Sequence, residues 1–253
     1  MSRPDTLAHY LLRSVNKAQR HYRLFDPKDR VLVAVSGGKD SLTLLDLLYR
    51  RRVSGPETLQ LVAGHVQSDY HCGRAVSTDW LATWCAARDI PLLRTDIKVA
   101  DVIASSAHSQ CFWCARARRK ALFALAREAG CAKLAFGHHA DDVAETTLMN
   151  LFYNGRVEAM QARSVLFDGA LTVVRPLALV EERDIATFAR ASGYPIEGSP
   201  CPEGVRSRRA LMKRILRDAE IERHDVKRSI YKAVSRVEQS RQGASAHRSN
   251  EAD

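Results

Sequence analysis

Val31-Leu-Val-Ala-Val-Ser-Gly-Gly-Lys-Asp-Ser41 is the stretch from which the rest of the chain is read. The run Val31 to Val35 is apolar without alternation, so it predicts a strand buried on both faces. Gly37 and Gly38 then let the backbone turn tightly and approach a ligand closely. A helix is expected at once, with Ser41 placed to cap it and Leu42, Leu44, Leu45, Leu47 and Leu48 as its buried stripe. Backbone N–H groups in such a loop, backed by the positive end of a helix dipole, hold phosphate oxygens. A strand-Gly-Gly-helix turn also occurs for steric reasons alone, so the rest of the chain must decide between the two readings.

The loop has neither the spacing of a nucleoside-triphosphatase P-loop nor that of a dinucleotide fingerprint. Outward from it, strands and helices alternate. Leu59–Val66, Pro91–Ile97, Lys133–Phe136 and Leu171–Val174 read as further strands. Val76–Arg88, Cys111–Ala129, Asp142–Tyr153 and Glu181–Ser192 read as helices, with Trp80, Trp84 and Cys85 as core residues. Such alternation predicts an α/β fold, an open parallel sheet with helices on both faces and its ligand at the carboxyl ends of the strands. A basic helix, Leu7–Arg23, precedes the sheet, and an Arg/Lys-rich helical stretch, Val205 to about Val237, follows it. The expected division is 1–28 for the basic N-terminal helix, 29–200 for the nucleotide domain, 201–239 for the basic helical segment and 240–253 for a disordered polar tail. Ser68–Gly73 is turn-like, and Val99–Gln110 is either an active-site loop or an irregular connection.

The chain has 253 residues and a formal charge of +10, with a pI near 9.6. That length is ample for a hydrophobic core, and that charge favours a polyanionic partner such as nucleic acid. No apolar run is long enough to span a membrane, and Met1–His9 lacks the apolar centre of a secretion signal, so the expected place is the cytoplasm. In that compartment the cysteines, Cys72, Cys85, Cys111, Cys114, Cys131 and Cys201, are expected as ligands or nucleophiles rather than disulfides.

Two further signals carry chemistry. Gly137-His-His-Ala-Asp-Asp142 follows a strand and precedes a helix. Its acids and imidazoles suit Mg²⁺ and a reacting phosphate, or they cap the helix. Cys111-Phe-Trp-Cys114 is followed by Arg116, Arg118, Arg119 and Lys120 with no intervening acid. Sulfurs three residues apart at a helix start reach one metal, and the neighbouring cations favour thiolate. A zinc site, a redox dithiol and two unrelated core cysteines are the other readings. Cys201, in Gly198-Ser-Pro-Cys-Pro202, is the best remaining metal ligand.

Ser36-Gly-Gly-Lys-Asp-Ser41 resembles the loop of the ATP-pyrophosphatase (PP-loop) superfamily, whose members split ATP into AMP and pyrophosphate. Taken with Cys111-x-x-Cys114-Ala-Arg-x-Arg-Arg, Gly137-His-His-x-Asp-Asp142 before Glu145-Thr146, Asn150-x-Phe-Tyr-x-Gly155, and Arg175-Pro-Leu177 before Glu182 and Ile185, it resembles the tRNA 2-thiocytidine synthetase family. The resemblance runs from the basic N-terminal helix to about Ala219. It implies a Rossmann-like PP-loop fold and an enzyme that exchanges a carbonyl oxygen for sulfur in tRNA, at a cytidine of the anticodon loop, position 32.

ATP would be the cosubstrate, Mg²⁺ a cofactor, and a 4Fe-4S cluster would be held by Cys111, Cys114 and Cys201, leaving one iron open to carry sulfide. By the same resemblance, Ala34, Ser36, Gly37, Gly38, Lys39, Asp40, Ser41, Gly137, His138 and Asp142 bind the nucleotide, and Asp40, Arg118 and Asp142 serve catalysis. Lys39 is otherwise a solvated loop lysine. The implied partners are tRNA, a sulfur donor such as a cysteine desulfurase or free sulfide, and a second copy of the chain in a homodimer.

The basic helices at Arg13–Arg23 and Arg206–Arg217 and the run Arg116–Lys120 are candidate tRNA contacts; the first reads equally as a solvated face. Cys201 stands in Pro200-Cys-Pro-Glu203, where the family commonly has a second cysteine nearby, and the zinc-finger cysteine pairs of the uridine thiolase branch are absent. The alternative is an adenylating enzyme with another nucleophile, of the lysidine-forming or amide-synthetase kind, with structural cysteines. A basic RNA-binding module without catalysis accounts for the charge but not for the glycine loop with Asp40 and Asp142.

Overall fold

The computed structural model describes residues 2–54, 58–69, 74–100, 110–199, 207–234 and 236–237. Cys201, most of the expected turn at Ser68–Gly73 with His71 and Cys72, most of the Val99–Gln110 connection, and the tail from Ser240 lie outside them. In chain order the elements are α1 (Arg3–Tyr22), β1 (Arg30–Ala34), α2 (Lys39–Ser54), β2 (Gln60–Ser68), α3 (Thr78–Ala86) and β3 (Leu92–Ile97). They continue with α4 (Gln110–Glu128), β4 (Lys133–Ala135), α5 (Ala140–Asn154), β5 (Arg163–Leu166), β6 (Leu171–Val174), α6 (Glu182–Ala191) and α7 (Arg208–Glu222). No helix among the described residues is long and apolar enough to cross a membrane.

The chain divides into two compact units, Met1–His139 with Ala162–Val205, and Ala140–Gln161 with Arg206–Asp253. The first holds the six-stranded sheet, in the order β3-β2-β1-β4-β6-β5. β1 pairs in parallel with β2 on one side and β4 on the other. The strand order reverses between those two neighbours, and a crevice at the strands' carboxyl ends opens at such a reversal. One departure from the expected sheet is its edge: β5 runs antiparallel to β6, joined to it by a short turn at Phe167–Gly169.

The unbroken apolar run of β1 is explained by what lies on its two faces. Val31, Val33 and Val35 enter a core shared with Leu11 and Val15 of α1, Leu44, Leu45 and Leu48 of α2, Leu81 and Cys85 of α3, and Ile185 and Phe188 of α6. Leu32 and Ala34 point the other way, into a core with Val62, Leu122, Leu125, Ala126 and Leu134. Trp80 and Trp84 pack partly buried against the first core, as their helical spacing indicates. The edge strand β5 alternates exposed and half-buried residues with none buried, and this explains why no apolar run marks it in the sequence.

α1 begins at a capping box, with the Ser2 side chain accepting from the Asp5 N–H and the Asp5 carboxylate taking the Ser2 N–H. Asp5 also takes Arg50 Nη1 at 2.8 Å, and Arg50 Nε donates to Asp46 at 3.0 Å. Asp46 is buried in turn beneath the Tyr194 hydroxyl, which donates to it at 2.8 Å. These bonds fasten α1, α2 and the segment after α6 together.

The second unit comprises α5, α7 and a further helical stretch at 226–234. Within the basic helical stretch, α7 ends at Glu222 and residues 223–225 separate it from the helical stretch at 226–234.

Candidate functional site

Two segments follow the carboxyl ends of β1 and β4, which lie side by side. In the first, α2 starts at Lys39, so Ser41 sits inside its opening turn rather than capping it from outside. The Ser41 hydroxyl instead closes the loop: it donates to the Gly38 carbonyl at 3.0 Å and accepts the Ser36 N–H at 3.1 Å. The Ser36 and Ser41 hydroxyl oxygens are 3.1 Å apart, and the Gly38 N–H reaches Ser36 Oγ at 3.4 Å. The opening amides of α2 have no carbonyl of their own helix to bond, so the closed loop ends at a helix N-terminus whose donors suit an anion.

Gly37 is required for two reasons. Its φ is +84°, and a Cβ there would lie 2.9 Å from the Ala75 Cβ. Its carbonyl accepts the Val76 N–H at 3.0 Å, and Ala75 exchanges N–H···O bonds of 3.0 and 3.1 Å with Glu197. Gly137, in the second segment, is needed for close approach. A Cβ there would meet the Asp40 carbonyl carbon and oxygen at 3.0 Å and the Ser41 nitrogen at 3.1 Å. The Gly137-His138-His139 segment therefore passes directly against the first turn of α2.

The charged groups of that turn are ordered by one another. Lys39 Nζ lies 2.8 Å from Asp40 Oδ1 and 3.1 Å from Glu182 Oε1. Burial works against the Lys39 ammonium, but the Asp40 and Glu182 carboxylates outweigh it and hold its pKa above the usual lysine value. The buried His139 places Nε2 3.7 Å from the same Asp40 oxygen. His138 stacks a tilted ring on Phe136, 5.5 Å between centroids. Thus Ser36, Gly37, Gly38, Lys39, Asp40, Ser41 and Gly137 converge with the neighbouring His138, at the end of the strand that Ala34 closes. Glu182 and His139 join them. Glu182 appeared in the sequence as part of a pattern, and nothing there pointed to its ion pair with Lys39.

Asp142 belongs to the second unit, on the opening turn of α5. There the acids are met by cations from the C-terminal helices. Arg209 lies 3.6 Å from Asp142 and 3.5 Å from the buried Glu145, and donates to Thr146 Oγ1 at 3.1 Å. Lys227 Nζ sits 2.5 Å from the buried Asp141 and 2.8 Å from Glu220. Arg209 and Lys227 gave no separate signal within a stretch rich in basic residues.

The four described cysteines divide by environment. Cys85 is 1% exposed, and burial pushes its thiol up to about 11; burial likewise raises the Cys131 thiol. Both are core residues. Cys111 and Cys114 lie on the first turn of α4, exposed and half-exposed, outside any disulfide. Residues three and seven positions on share a helix face, so Cys111, Cys114 and Arg118 line one side of α4. No acid stands in that first turn. Arg118 Nε is buried with no hydrogen-bond partner among the described residues. No metal-binding group of three or more ligands is gathered among the described residues, and the third expected ligand, Cys201, lies outside them.

Residues 8–217 match a family profile described as a PP-loop domain. The chain is 38% identical over 229 residues to a tRNA-cytidine(32) 2-sulfurtransferase of Geobacter metallireducens, covering 88% of each sequence. It is 39% identical over 204 residues to another of that description from Xanthomonas campestris, covering 78% of this chain and 65% of the relative. Among solved structures it resembles the U34-tRNA thiolase NcsA from Methanococcus maripaludis, determined with its [4Fe-4S] cluster. The TM-score is 0.76 at 25% identity, over 92% of this chain and 80% of that one.

Proposed function

The chain belongs to the tRNA-cytidine 2-sulfurtransferase family of PP-loop proteins, and from that membership we propose that it thiolates C2 of cytidine 32 in tRNA through an adenylated base. The observation that carries this reading is the closed loop Ser36–Ser41 at the reversal between β1 and β4, braced by Gly137.

The C2 carbonyl of cytosine is amide-like, a poor electrophile with a very basic leaving group. Its oxygen therefore attacks the α-phosphorus of ATP, and the α–β bridging bond breaks with its electron pair leaving on pyrophosphate. Donors fixed before the reaction stabilise such charge without reorganising, the larger part of catalysis in phosphoryl transfer. The loop amides and the hydroxyls of Ser36 and Ser41 take the β- and γ-phosphates, and Lys39, held charged by Asp40 and Glu182, faces the departing charge. C2 now carries AMP as leaving group; sulfide adds to C2, and AMP departs.

The donor set fits the two implied groups. Asp40 in the first unit and Asp142 in the second each carry carboxylate oxygens of the hard kind that Mg²⁺ takes, and Cys111 and Cys114 offer soft sulfurs on one helix face whose first turn holds no acid. With Cys201 as third ligand, a 4Fe-4S cluster would supply an iron with an open position for sulfide. Arg118, one turn beyond Cys114, neutralises phosphate charge. The sulfur comes from a cysteine desulfurase or free sulfide.

Nucleoside mass spectrometry of tRNA from cells with and without the gene tests the whole reading. Loss of 2-thiocytidine and its return on complementation are expected. An unchanged 2-thiocytidine level overturns the reading, and loss of a thiolated uridine instead reassigns the base.

A further inference from the structure

The N-terminal helix carries a charged face that nothing in the sheet's chemistry requires. Ala8, Leu11, Val15 and Ala18 are its buried stripe. Tyr10, Arg13, Lys17 and Arg20 recur three or four residues apart on the opposite side, all exposed, with Tyr10 at 59%. With a rise of about 1.5 Å per residue they form a line roughly 15 Å long. A surface hollow of about 470 Å³ lies along it, lined by these four with Ser14 and Asn16.

The helix has a single acid, Asp5, and that acid is already bound to Arg50 and to the Ser2 cap. Arg50, Lys39, Lys133, Arg209 and Lys227 all lie against carboxylates. Arg13, Lys17 and Arg20 meet none among the described residues. Arg20 is in the last turn, where the helix dipole favours a cation. Arg13 and Lys17 are mid-helix, and like charges three and four residues apart weaken a helix. Among the described residues nothing offsets the charge of Arg13 and Lys17, which suits a complement supplied by a partner.

We propose that the outward face of α1 is a docking surface for the phosphate backbone of the substrate tRNA, with Arg13, Lys17 and Arg20 as its contacts. This rests on the reading of the chain as a tRNA-thiolating enzyme and adds where the RNA is held. The chemistry that fits is a flexible or duplex polyanion: guanidinium groups bind phosphate oxygens in pairs, and lysine serves as a point charge. An exposed tyrosine beside such a row suits a sugar or an unstacked base. Contacts of this kind release counterions, so they are read in the salt dependence of binding.

The test is titration of the full-length protein with total tRNA across a salt series, for wild type, for Arg13→Gln/Lys17→Gln/Arg20→Gln, and for the charge-preserving Arg13→Lys/Lys17→Arg/Arg20→Lys. The expected result is a loss of roughly tenfold or more in affinity for the neutralised variant. Its log–log salt slope should be shallower by roughly two to three, while the charge-preserving variant keeps the wild-type slope. All three side chains are exposed, and an unchanged circular-dichroism melt confirms that each variant is folded. Wild-type affinity and slope in the neutralised variant overturn the docking surface and leave the thiolation reading standing. A wild-type protein that binds no tRNA overturns both.

Discussion

The loop after β1 and the first turn of α4 are built in opposite ways. Ser36–Ser41 is closed by its own hydroxyls, pinned through Gly37 to Val76, and overlaid by Gly137, with its charged groups already paired. The opening of α4 presents exposed Cys111 and Phe112 on a turn without acids, with Cys111 and Cys114 one helical turn apart. Phosphate is held by many weak, directional donors and needs a cradle finished in advance. A metal group makes a few strong bonds to its ligands and orders them as it binds.

That contrast is broken or sharpened by substitution at either side. The largest effect is expected at α4: Cys114→Ala takes thiolation to background and lowers the iron content of anaerobic protein, with ATP binding kept. Iron retained at the wild-type level would remove Cys114 from the ligand set. Next, Asp40→Asn cuts turnover by about a hundred- to a thousandfold with iron content unchanged, as loss of a fixed electrostatic group does; single-turnover AMP release checks it. Gly37→Ala comes third, since the positive φ and the Ala75 contact make the change cost about 1–3 kcal/mol, read by urea unfolding together with weakened ATP binding.

Cys85→Ser is the control for sulfur as such. A hydroxyl in that buried place costs about 1–3 kcal/mol of stability and should leave iron and activity alone; a fall in iron would mean that a buried thiol also serves the metal. The smallest effect is at Asp5, whose carboxyl is held down at about 2, from an ordinary 3.8, chiefly by the Arg50 hydrogen bond and then by Ser2. A depressed carboxyl stabilises the fold above its unfolded value and loses that contribution as the pH falls through the folded one. Asp5→Asn should thus lower the melting temperature slightly near neutral pH, with the difference shrinking as the pH falls to 2 and vanishing below it. An equal effect at both extremes would place the role of Asp5 in packing instead of charge.

The two regions also differ in how openly the sequence announces them. β1 and its loop are local: an apolar run and two glycines state their own geometry, and Leu171–Val174 was legible for the same reason. β5 was not, because Arg163–Leu166 is short and half-exposed at an edge, so it leaves no apolar signature. The Lys39–Glu182 pair could not be read at all, since the side chains meet only once α6 packs beside α2. The same holds for Arg209 against Asp142 and Glu145: in a stretch rich in arginine, the folded helices alone single one out. At α4 the cysteine spacing was visible and Cys85 read as core from its helix, but Cys131 was set apart from Cys111 and Cys114 only by burial, a property of the assembled core.

The hooks that hold Gly37 are all main-chain: the N–H of Val76 to Gly37, and the paired bonds between Ala75 and Glu197. Every residue except proline carries that donor. The exposed side chain at 197 is therefore open to drift over generations without slackening the loop, while Val76 is kept apolar by its burial in the first core; a codon for proline at 75, 76 or 197 is the change this part of the gene cannot absorb.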